Sequence, residues 1–252
     1  MPYLEIEGRR CYYVGDPTRE GIPVVFCHGS GGGHHHWLYQ LKKLPGIINP
    51  LAVDLPGHGR SEGSPKDEVA AYREWLHIFK ITTGIGSFVP AGHSLGGAIA
   101  LSYTLEYPSE VRGLILVGSG ARLKVLPAFL DELRQGSIPD TLIDYLYSPK
   151  TPKKMIKQSQ QEIEAADPAV YLADLSACDK FDVIEELSRI KQPTLMICGD
   201  EDRLTPVKYS NFLEERLKQG NLEVIEGAGH MVMVEKPDEV TRAITQFIEE
   251  AL

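Results

Sequence analysis

The sequence predicts an α/β fold in which helices flank a mostly parallel central sheet. Short apolar runs rich in Val, Ile and Leu recur along the chain, and each ends at a glycine, a proline or a charged residue. These runs do not alternate cleanly, which is typical of strands buried on both faces. Segments with helical spacing of apolar residues lie between them. The chain has 252 residues, 42% of them hydrophobic, enough for one large core.

The elements follow in chain order. The stretch YLEIEGRRCYYVG alternates and predicts a β-hairpin. Six apolar runs predict further strands: PVVFCHG, INPLAVDLPGHG, GSFVPAGHS, VRGLILVGSG, QPTLMICGD and LEVIEGAGH. The segment LGGAIALSYTLEYP predicts a helix that stops at Pro108, and KPDEVTRAITQFIEEAL predicts an amphipathic helix that begins near Pro237.

Residues 122–190 interrupt this alternation because they contain no strand pattern. The pieces VLPAFLDELRQG, PDTLIDYLYSP and KKMIKQSQQEIEAAD predict helices separated by proline and glycine. Such a stretch is too long for a simple connection in a compact α/β unit. We therefore expect a helical cap at 122–190, inserted into a core formed by residues 1–121 and 191–252.

Composition excludes several classes of protein. There are 26 Lys and Arg against 35 Asp and Glu, a formal net charge of −9, which disfavours nucleic acid as a partner. No apolar run has the length of a membrane span or a signal peptide. The four cysteines form no CxxC pair and predict reduced, buried thiols. We expect a cytoplasmic monomer or homodimer without an integral membrane segment.

The stretch Gly92-His93-Ser94-Leu95-Gly96 fits the pattern G-x-S-x-G between a predicted strand and a predicted helix. That context is the one in which a sharp turn exposes a nucleophilic serine. Side chains in place of the two glycines would collide across such a turn. The alternative is a glycine-rich turn with an incidental serine at position 94.

A serine nucleophile needs a base, and the base needs a carboxylate that orients it. Asp200 and Asp202 follow the run TLMICG, and His230 follows the run LEVIEGAG. Their order along the chain, serine, acid and then histidine, is the one expected for an exposed serine of this kind. Each lies where a strand ends, so each loop can reach Ser94. Position alone leaves the choice between Asp200 and Asp202 open.

Five motifs in this order resemble the α/β-hydrolase family across nearly the whole chain: HGSGG, DLPGHGRS, GHSLGG, GDEDRLTP and GAGH. The resemblance implies the α/β-hydrolase fold with a helical cap, and a catalytic triad of Ser94, Asp202 and His230. The family's acid loop reads G-x-x-D-x-x-x-P, which Gly199 and Pro206 match, and this selects Asp202. In this family DLPGHGRS is a structural loop.

The resemblance also implies an oxyanion hole. The backbone N–H of Leu95, the residue after the nucleophile, is one expected donor. The second is expected from the glycine-rich loop after PVVFCHG, with Ser30 as first choice and Gly31 as second. This loop lacks the Gly-Lys-Ser/Thr ending of a phosphate-binding P-loop.

The nucleophile narrows the chemistry, since the family's dehalogenases and epoxide hydrolases carry Asp where this chain carries Ser94. The resemblance implies a serine carboxylesterase for a small-molecule ester with a short or medium acyl chain, monoacylglycerols included. That chemistry requires neither a metal nor an organic cofactor.

Two alternatives to ester hydrolysis stay open. One is a hydrolase of carbon–carbon bonds in vinylogous diketones, or a related lyase, with Arg122, Lys124 or Arg134 holding a substrate carboxylate. The other is a ligand receptor with slow turnover.

The cap is expected to supply an apolar substrate pocket. The candidate lining residues are Gly31, Trp37, Leu126, Phe129 and Leu146. The run of histidines at 34–36 does not predict a metal site, because consecutive side chains point in different directions.

Overall fold

The computed structural model describes residues 3–252 and contains an eight-stranded sheet. The strands are β1 Tyr3–Ile6, β2 Arg9–Val14, β3 Ile22–Cys27, β4 Ile48–Val53, β5 Val89–His93, β6 Leu114–Val117, β7 Thr194–Gly199 and β8 Gly220–Ile225. Their order across the sheet is β1-β2-β4-β3-β5-β6-β7-β8. Strands β3 to β8 run parallel, while the β1–β2 hairpin joins through antiparallel pairing of β2 with β4. Positions 1 and 2 of the expected core lie outside the described residues.

The predicted hairpin and all six predicted strands are confirmed. Strands β4, β5, β6 and β7 are buried along their whole length, as their apolar runs predict. For β8 the expectation of burial on both faces is wrong. It lies at the edge of the sheet, where fewer neighbours cover it, and Val224 is 45% exposed.

Ten α-helices occur within residues 3–252. They are α1 Leu38–Lys43, α2 Val69–Thr83, α3 Leu95–Glu106, α4 Pro127–Arg134, α5 Leu142–Leu146, α6 Lys153–Glu164, α7 Pro168–Lys180, α8 Val207–Arg216, α9 Val232–Glu235 and α10 Pro237–Ala251. Helix α3 ends just before Pro108, and α10 starts at Pro237, both as predicted. Over the same residues, no helix combines the length and the apolar character that crossing a bilayer requires.

The sheet separates two large apolar clusters. Consecutive residues of β3, Val24 and Val25, belong to different clusters because successive side chains of a strand point to opposite faces. One cluster packs beneath α2 and α3, and the other beneath α10. The fold is therefore three layers, and the carboxyl ends of β3, β5, β7 and β8 lie at one edge, where loops can meet.

Residues 122–190 connect β6 to β7 and contain α4 to α7. A small apolar cluster of their own joins Phe129, Leu133, Leu142 and Tyr171. The sequence patterns above do not predict helix α7. The structure shows that Asp167 caps its first turn by accepting from the N–H of Ala169 at 2.8 Å. The division into a core and a cap domain stays a prediction.

Candidate active site

Ser94 occupies a strained turn between β5 and α3. Its φ of 53° and ψ of −115° lie in a region that residues other than glycine rarely adopt. A Cβ atom on Gly92 would lie 2.0 Å from the carbonyl carbon and oxygen of Gly96, and one on Gly96 would lie 2.3 Å from the Cys27 oxygen. The Ser119 hydroxyl donates to the Ser94 carbonyl at 2.8 Å. The close packing around the turn thus requires glycine at positions 92 and 96. The hydrogen bond from Ser119 helps to hold the turn in place.

Asp202 and His230 form a buried hydrogen-bonded pair. His230 Nδ1 lies 2.9 Å from Asp202 Oδ2. The other carboxylate oxygen accepts from the N–H groups of Leu204 and Thr205, each at 2.9 Å. The Thr205 hydroxyl donates to Asp202 Oδ2 at 2.7 Å. Asp200 instead accepts a backbone N–H of the loop after β8 at 2.7 Å. The structure therefore brings Asp202, and not Asp200, to the histidine.

The surroundings of Asp202 keep its carboxylate charged. Burial opposes ionisation, but the neighbouring His230 and the hydrogen bonds from Thr205 outweigh it and lower the pKa of Asp202 to about 2. A charged carboxylate on Nδ1 of His230 fixes the proton there and leaves Nε2 free to accept one.

Ser94 and His230 line the same cavity, of about 380 Å³, which we call the first cavity. Between residues 3 and 252, no hydrogen bond joins the Ser94 hydroxyl to His230. Catalytic hydrogen bonds are often long in unliganded structures and tighten when substrate binds. Both side chains line this cavity, so a substrate within it could contact both.

His93 lies inside the G-x-S-x-G stretch and positions the loop that carries His230. Sequence reasoning missed this role. Its Nε2 donates to the His230 carbonyl at 3.0 Å, and the two rings lie 4.5 Å apart. Burial holds the pKa of His93 well below its usual value, so the ring is neutral. A Cβ on Gly29 would lie 2.6 Å from His93 Nδ1. In the sequence, the position of His93 directly before Ser94 is the signal that could have indicated this role.

The loop after β3 offers one of the two expected oxyanion donors. Ser30 lines the first cavity, and its N–H has no acceptor among the residues that the structure describes. Leu95 begins α3, where the first N–H groups have no partner within the helix. Gly31, the second choice, is excluded as a donor, because its N–H already donates to Asp174 Oδ2 at 2.8 Å.

Asp174, from α7, is a second unpredicted residue and lies at the centre of a buried network. Besides Gly31, it accepts from His58 Nε2 at 2.8 Å and from the Tyr72 hydroxyl at 2.6 Å. His58 Nδ1 lies 3.0 Å from the carbonyl oxygen of Pro56, so both ring nitrogens face acceptors and the ring is protonated. Burial opposes this charge, but Asp174 outweighs burial and raises the pKa of His58. The network ties α7 to the loop that carries Ser30.

Residues of the motif DLPGHGRS hold neighbouring loops, as the resemblance implies. Asp54 accepts from the N–H and Nδ1 of His34 at 2.7 and 2.9 Å, and from the N–H of Arg60 at 2.9 Å. His28 donates through Nδ1 to the carbonyl of the next residue and accepts the Leu55 N–H at Nε2. These side chains are engaged in structural hydrogen bonds.

Two cavities flank Ser94, and four of the five predicted pocket residues line them. Gly31 and Leu146 line the first cavity. Leu126 and Phe129 line the second cavity, of about 430 Å³. Both contain more apolar than polar wall, which is typical of small-molecule sites.

Trp37 does not line either cavity, and its assignment to the pocket is corrected. The side chain is fully buried, with its ring 4.7 Å from that of Phe26 on β3. The 3₁₀ turn His34–Trp37 directs this ring into the core, where burial of a large aromatic surface is favourable.

Three side chains near the first cavity could hold a metal ion. His35, His36 and Glu162 offer ligand atoms within 4.8 Å of one another, and His35 Nε2 lies 3.4 Å from Glu162 Oε2. The expectation that three consecutive histidines cannot share a site holds for His34, which turns to Asp54. Two of the three nevertheless converge with a carboxylate, a donor set suited to zinc.

Comparisons with known proteins agree with this fold. A family model described as alpha/beta hydrolase fold matches residues 22–237. The AB hydrolase superfamily protein YisY of Bacillus subtilis is 28% identical over 273 residues, covering 97% of this chain and 98% of that protein. Monoacylglycerol lipase ABHD6 of Mus musculus is 24% identical over 94% of this chain and 79% of its own length.

Among solved structures, a thermophilic esterase superposes with a TM-score of 0.84 at 33% identity, covering 99% of this chain and 97% of that one. The predicted fold class and the family resemblance are confirmed. With its matching sheet and its match to the family model over most of its length, the chain belongs to the alpha/beta hydrolase fold family.

Proposed function

We propose that this chain is a serine hydrolase that cleaves carboxylic esters with short or medium acyl chains, monoacylglycerols included, through an acyl-enzyme on Ser94. The observation that carries the proposal is the buried Asp202–His230 hydrogen bond of 2.9 Å beside the strained turn of Ser94. The similarity to a thermophilic esterase and to a monoacylglycerol lipase supports it.

The first step is attack on the ester carbonyl. His230 Nε2 takes the proton of the Ser94 hydroxyl while Oγ bonds to the carbonyl carbon, and Asp202 stabilises the imidazolium that forms. The carbonyl oxygen becomes an oxyanion, for which the N–H groups of Leu95 and Ser30 are the donors. One such donor contributes roughly 2.7–4 kcal/mol to stabilising the transition state.

Collapse of the tetrahedral intermediate breaks the bond to the alcohol. His230 gives its proton to the leaving alkoxide, and the acyl group stays on Ser94. Water then enters, loses a proton to His230 and attacks the acyl carbon, which releases the carboxylic acid and restores the hydroxyl. His230 takes up and then returns the proton of the Ser94 hydroxyl and that of the water, so the cycle needs neither a metal nor an organic cofactor.

The two cavities suit apolar ester chains of limited length. The helices between β6 and β7 contribute buried apolar side chains to their walls, including Phe129 and Leu142, each at most 6% exposed. The volumes of about 380 and 430 Å³ are in the range of small-molecule sites. Each cavity is large enough for a short or medium acyl chain.

The carbon–carbon hydrolase gains little support from the three cations suggested for it. Arg122 pairs with Asp182 at 3.6 Å, and Lys124 pairs with Asp179 at 3.7 Å. Arg134 pairs with a neighbour on its own helix at 2.7 Å and lines neither cavity beside Ser94. Each of these charges already has a partner, so ester hydrolysis is the function we propose.

The test is steady-state hydrolysis of p-nitrophenyl esters from acetyl to palmitoyl, with the unchanged chain beside Ser94→Ala. We expect turnover of the acetyl to octanoyl esters and a loss of about 10³-fold or more in the variant. Equal, slow rates for both proteins would overturn the proposal. Turnover far below about 1 s⁻¹ with every ester would instead favour the receptor.

A further inference from the structure

The second cavity continues into a smaller one of about 270 Å³, with which it shares Lys124, Lys208 and Tyr209. We call the two together the basic groove. Its charged lining residues are Arg122, Lys124, Arg203 and Lys208. In the described part of the chain, no Asp or Glu lines it. This is unexpected in a protein with 35 acidic and 26 basic residues.

Two of the four cations have no carboxylate partner. Arg122 and Lys124 form the ion pairs given above, at 3.6 and 3.7 Å. For Arg203 and Lys208, no carboxylate of residues 3–252 lies within 4.0 Å. The Arg203 guanidinium instead lies 5.2 Å from the ring centre of Tyr145. These two cations leave the groove with an uncompensated positive charge.

The groove combines apolar and cationic lining. Its larger cavity is lined by Ser94 and by the buried side chains of Phe129 and Leu142. Arg203 and Lys208 are exposed to solvent, and the smaller cavity does not reach Ser94. The first cavity is lined by an acidic residue, Glu162, whereas the charged residues that line the basic groove are all cations. The first cavity and the groove therefore differ in charge.

We propose that the ester substrate carries an anionic group, a carboxylate or a phosphate, separated from the scissile carbonyl by an apolar segment, and that Arg203 and Lys208 bind that group. The proposal rests on the ester hydrolysis proposed above. A guanidinium matches the geometry of carboxylates and phosphates with two parallel hydrogen bonds, and an ammonium adds a point charge. The apolar segment would pack against the apolar side chains that line the second cavity together with Ser94.

The test compares matched substrates that differ in one charge. For the acyl side, p-nitrophenyl hexanoate is set against mono-p-nitrophenyl adipate, which has the same chain length and a terminal carboxylate. For the alcohol side, phenyl hexanoate is set against 4-carboxyphenyl hexanoate. We expect the anionic member of one pair to have a kcat/KM at least about tenfold higher, and the pair that shows this identifies which side of the ester occupies the groove.

The variant Arg203→Gln/Lys208→Gln should bring that ratio close to one, and 0.5 M salt should lower it in the unchanged chain. Arg134→Gln, which removes an exposed cation of α4 outside the groove, is the control and should leave the ratio as it was. A preference for neutral esters in both pairs would overturn the proposal. Retention of the anionic preference in the double variant would do the same.

Binding separates this proposal from the proposed function. Calorimetry with Ser94→Ala measures the affinity for monomethyl adipate and for 4-carboxyphenyl hexanoate without turnover. The double substitution at Arg203 and Lys208 should weaken one of them about tenfold. If no ester is hydrolysed but this binding difference is found, only the esterase proposal fails. If esters are hydrolysed and this binding difference is missing, only the proposal on the basic groove fails.

Discussion

His58 and Asp174 lie 116 positions apart in the chain, yet His58 Nε2 and Asp174 Oδ2 are 2.8 Å apart and fully enclosed. Asp174 belongs to α7, which lies between β6 and β7 in the chain, and His58 belongs to the loop after β4. The same carboxylate oxygen accepts the N–H of Gly31. The Asp174 carboxylate therefore joins α7 to the loop that carries the proposed oxyanion donor Ser30.

Asp174→Asn should destabilise the protein strongly. The change leaves the buried imidazolium of His58 without its counter-ion, and breaking a buried pair in this way costs about 3–5 kcal/mol. Urea unfolding at pH 6 measures the loss. Asp179→Asn removes the charged partner of the exposed Lys124 and keeps an amide oxygen that can accept the N–H of Val125, so this control should cost about 0.5 kcal/mol or less. Similar losses in both variants would contradict a special role for Asp174.

The same pair predicts a pH dependence. Because the folded state raises the pKa of His58, its stabilisation is fully present below the ordinary histidine value of about 6.5. It is lost as the pH rises through the raised folded value. The difference in free energy of unfolding between the unchanged chain and Asp174→Asn should therefore shrink from pH 6 to pH 9. A difference that stays constant or grows would show that His58 is not the titrating partner.

Asp202→Asn and Asp200→Asn test the choice of acid. Asparagine at 202 leaves no charge to stabilise the imidazolium of His230 and favours the wrong tautomer, so kcat should fall about 10⁴-fold. Asp200 accepts only loop N–H groups, and its substitution should change kcat by less than about threefold. Measured kcat values with one p-nitrophenyl ester decide between them. A larger loss at position 200 would reverse the assignment.

Replacing Ser94 separates strain from chemistry. Alanine keeps a Cβ at a φ of 53°, whereas glycine adopts this conformation without strain. Strain of this kind costs about 1–3 kcal/mol, and the added freedom of glycine in the unfolded chain offsets part of the gain. We expect Ser94→Gly to be about 1 kcal/mol more stable than Ser94→Ala in urea, with both inactive. Equal stability would mean that the turn is relaxed.

Gly92→Ala should prevent formation of the native turn. The new Cβ would overlap the carbonyl of Gly96, a backbone group that cannot move aside without displacing α3. We expect a loss of more than about 4 kcal/mol, or no soluble folded protein. Gly86→Ala is the control, because its Cβ would meet no atom within 4 Å. Circular dichroism melting curves of both variants provide the comparison, and a stable, active Gly92→Ala would refute the packing explanation.

Local patterns predicted much of this molecule. All six apolar runs became strands, and those inside the sheet are apolar on both faces because helices cover both sides of a parallel sheet. The glycines around Ser94 reveal the turn because only a missing Cβ permits so close an approach. The order of Ser94, Asp202 and His230 follows from the positions of strand ends along the chain. Choosing Asp202 over Asp200 needed the family's loop pattern as well.

Other features exist only once distant segments meet. Within PAVYLADLSACDK nothing marks Asp174 as buried, since its partners His58, Tyr72 and Gly31 belong to three other segments. The edge position of β8 and the burial of Trp37 depend likewise on what packs beside them. Arg203 and Lys208 look like ordinary surface cations in the sequence. The sequence by itself determined the strands, several of the helices and the order of the candidate triad, because these depend on residues close together in the chain. The tertiary structure decided burial, charge pairing and the basic groove, because Coulombic energy and desolvation depend on distance in space.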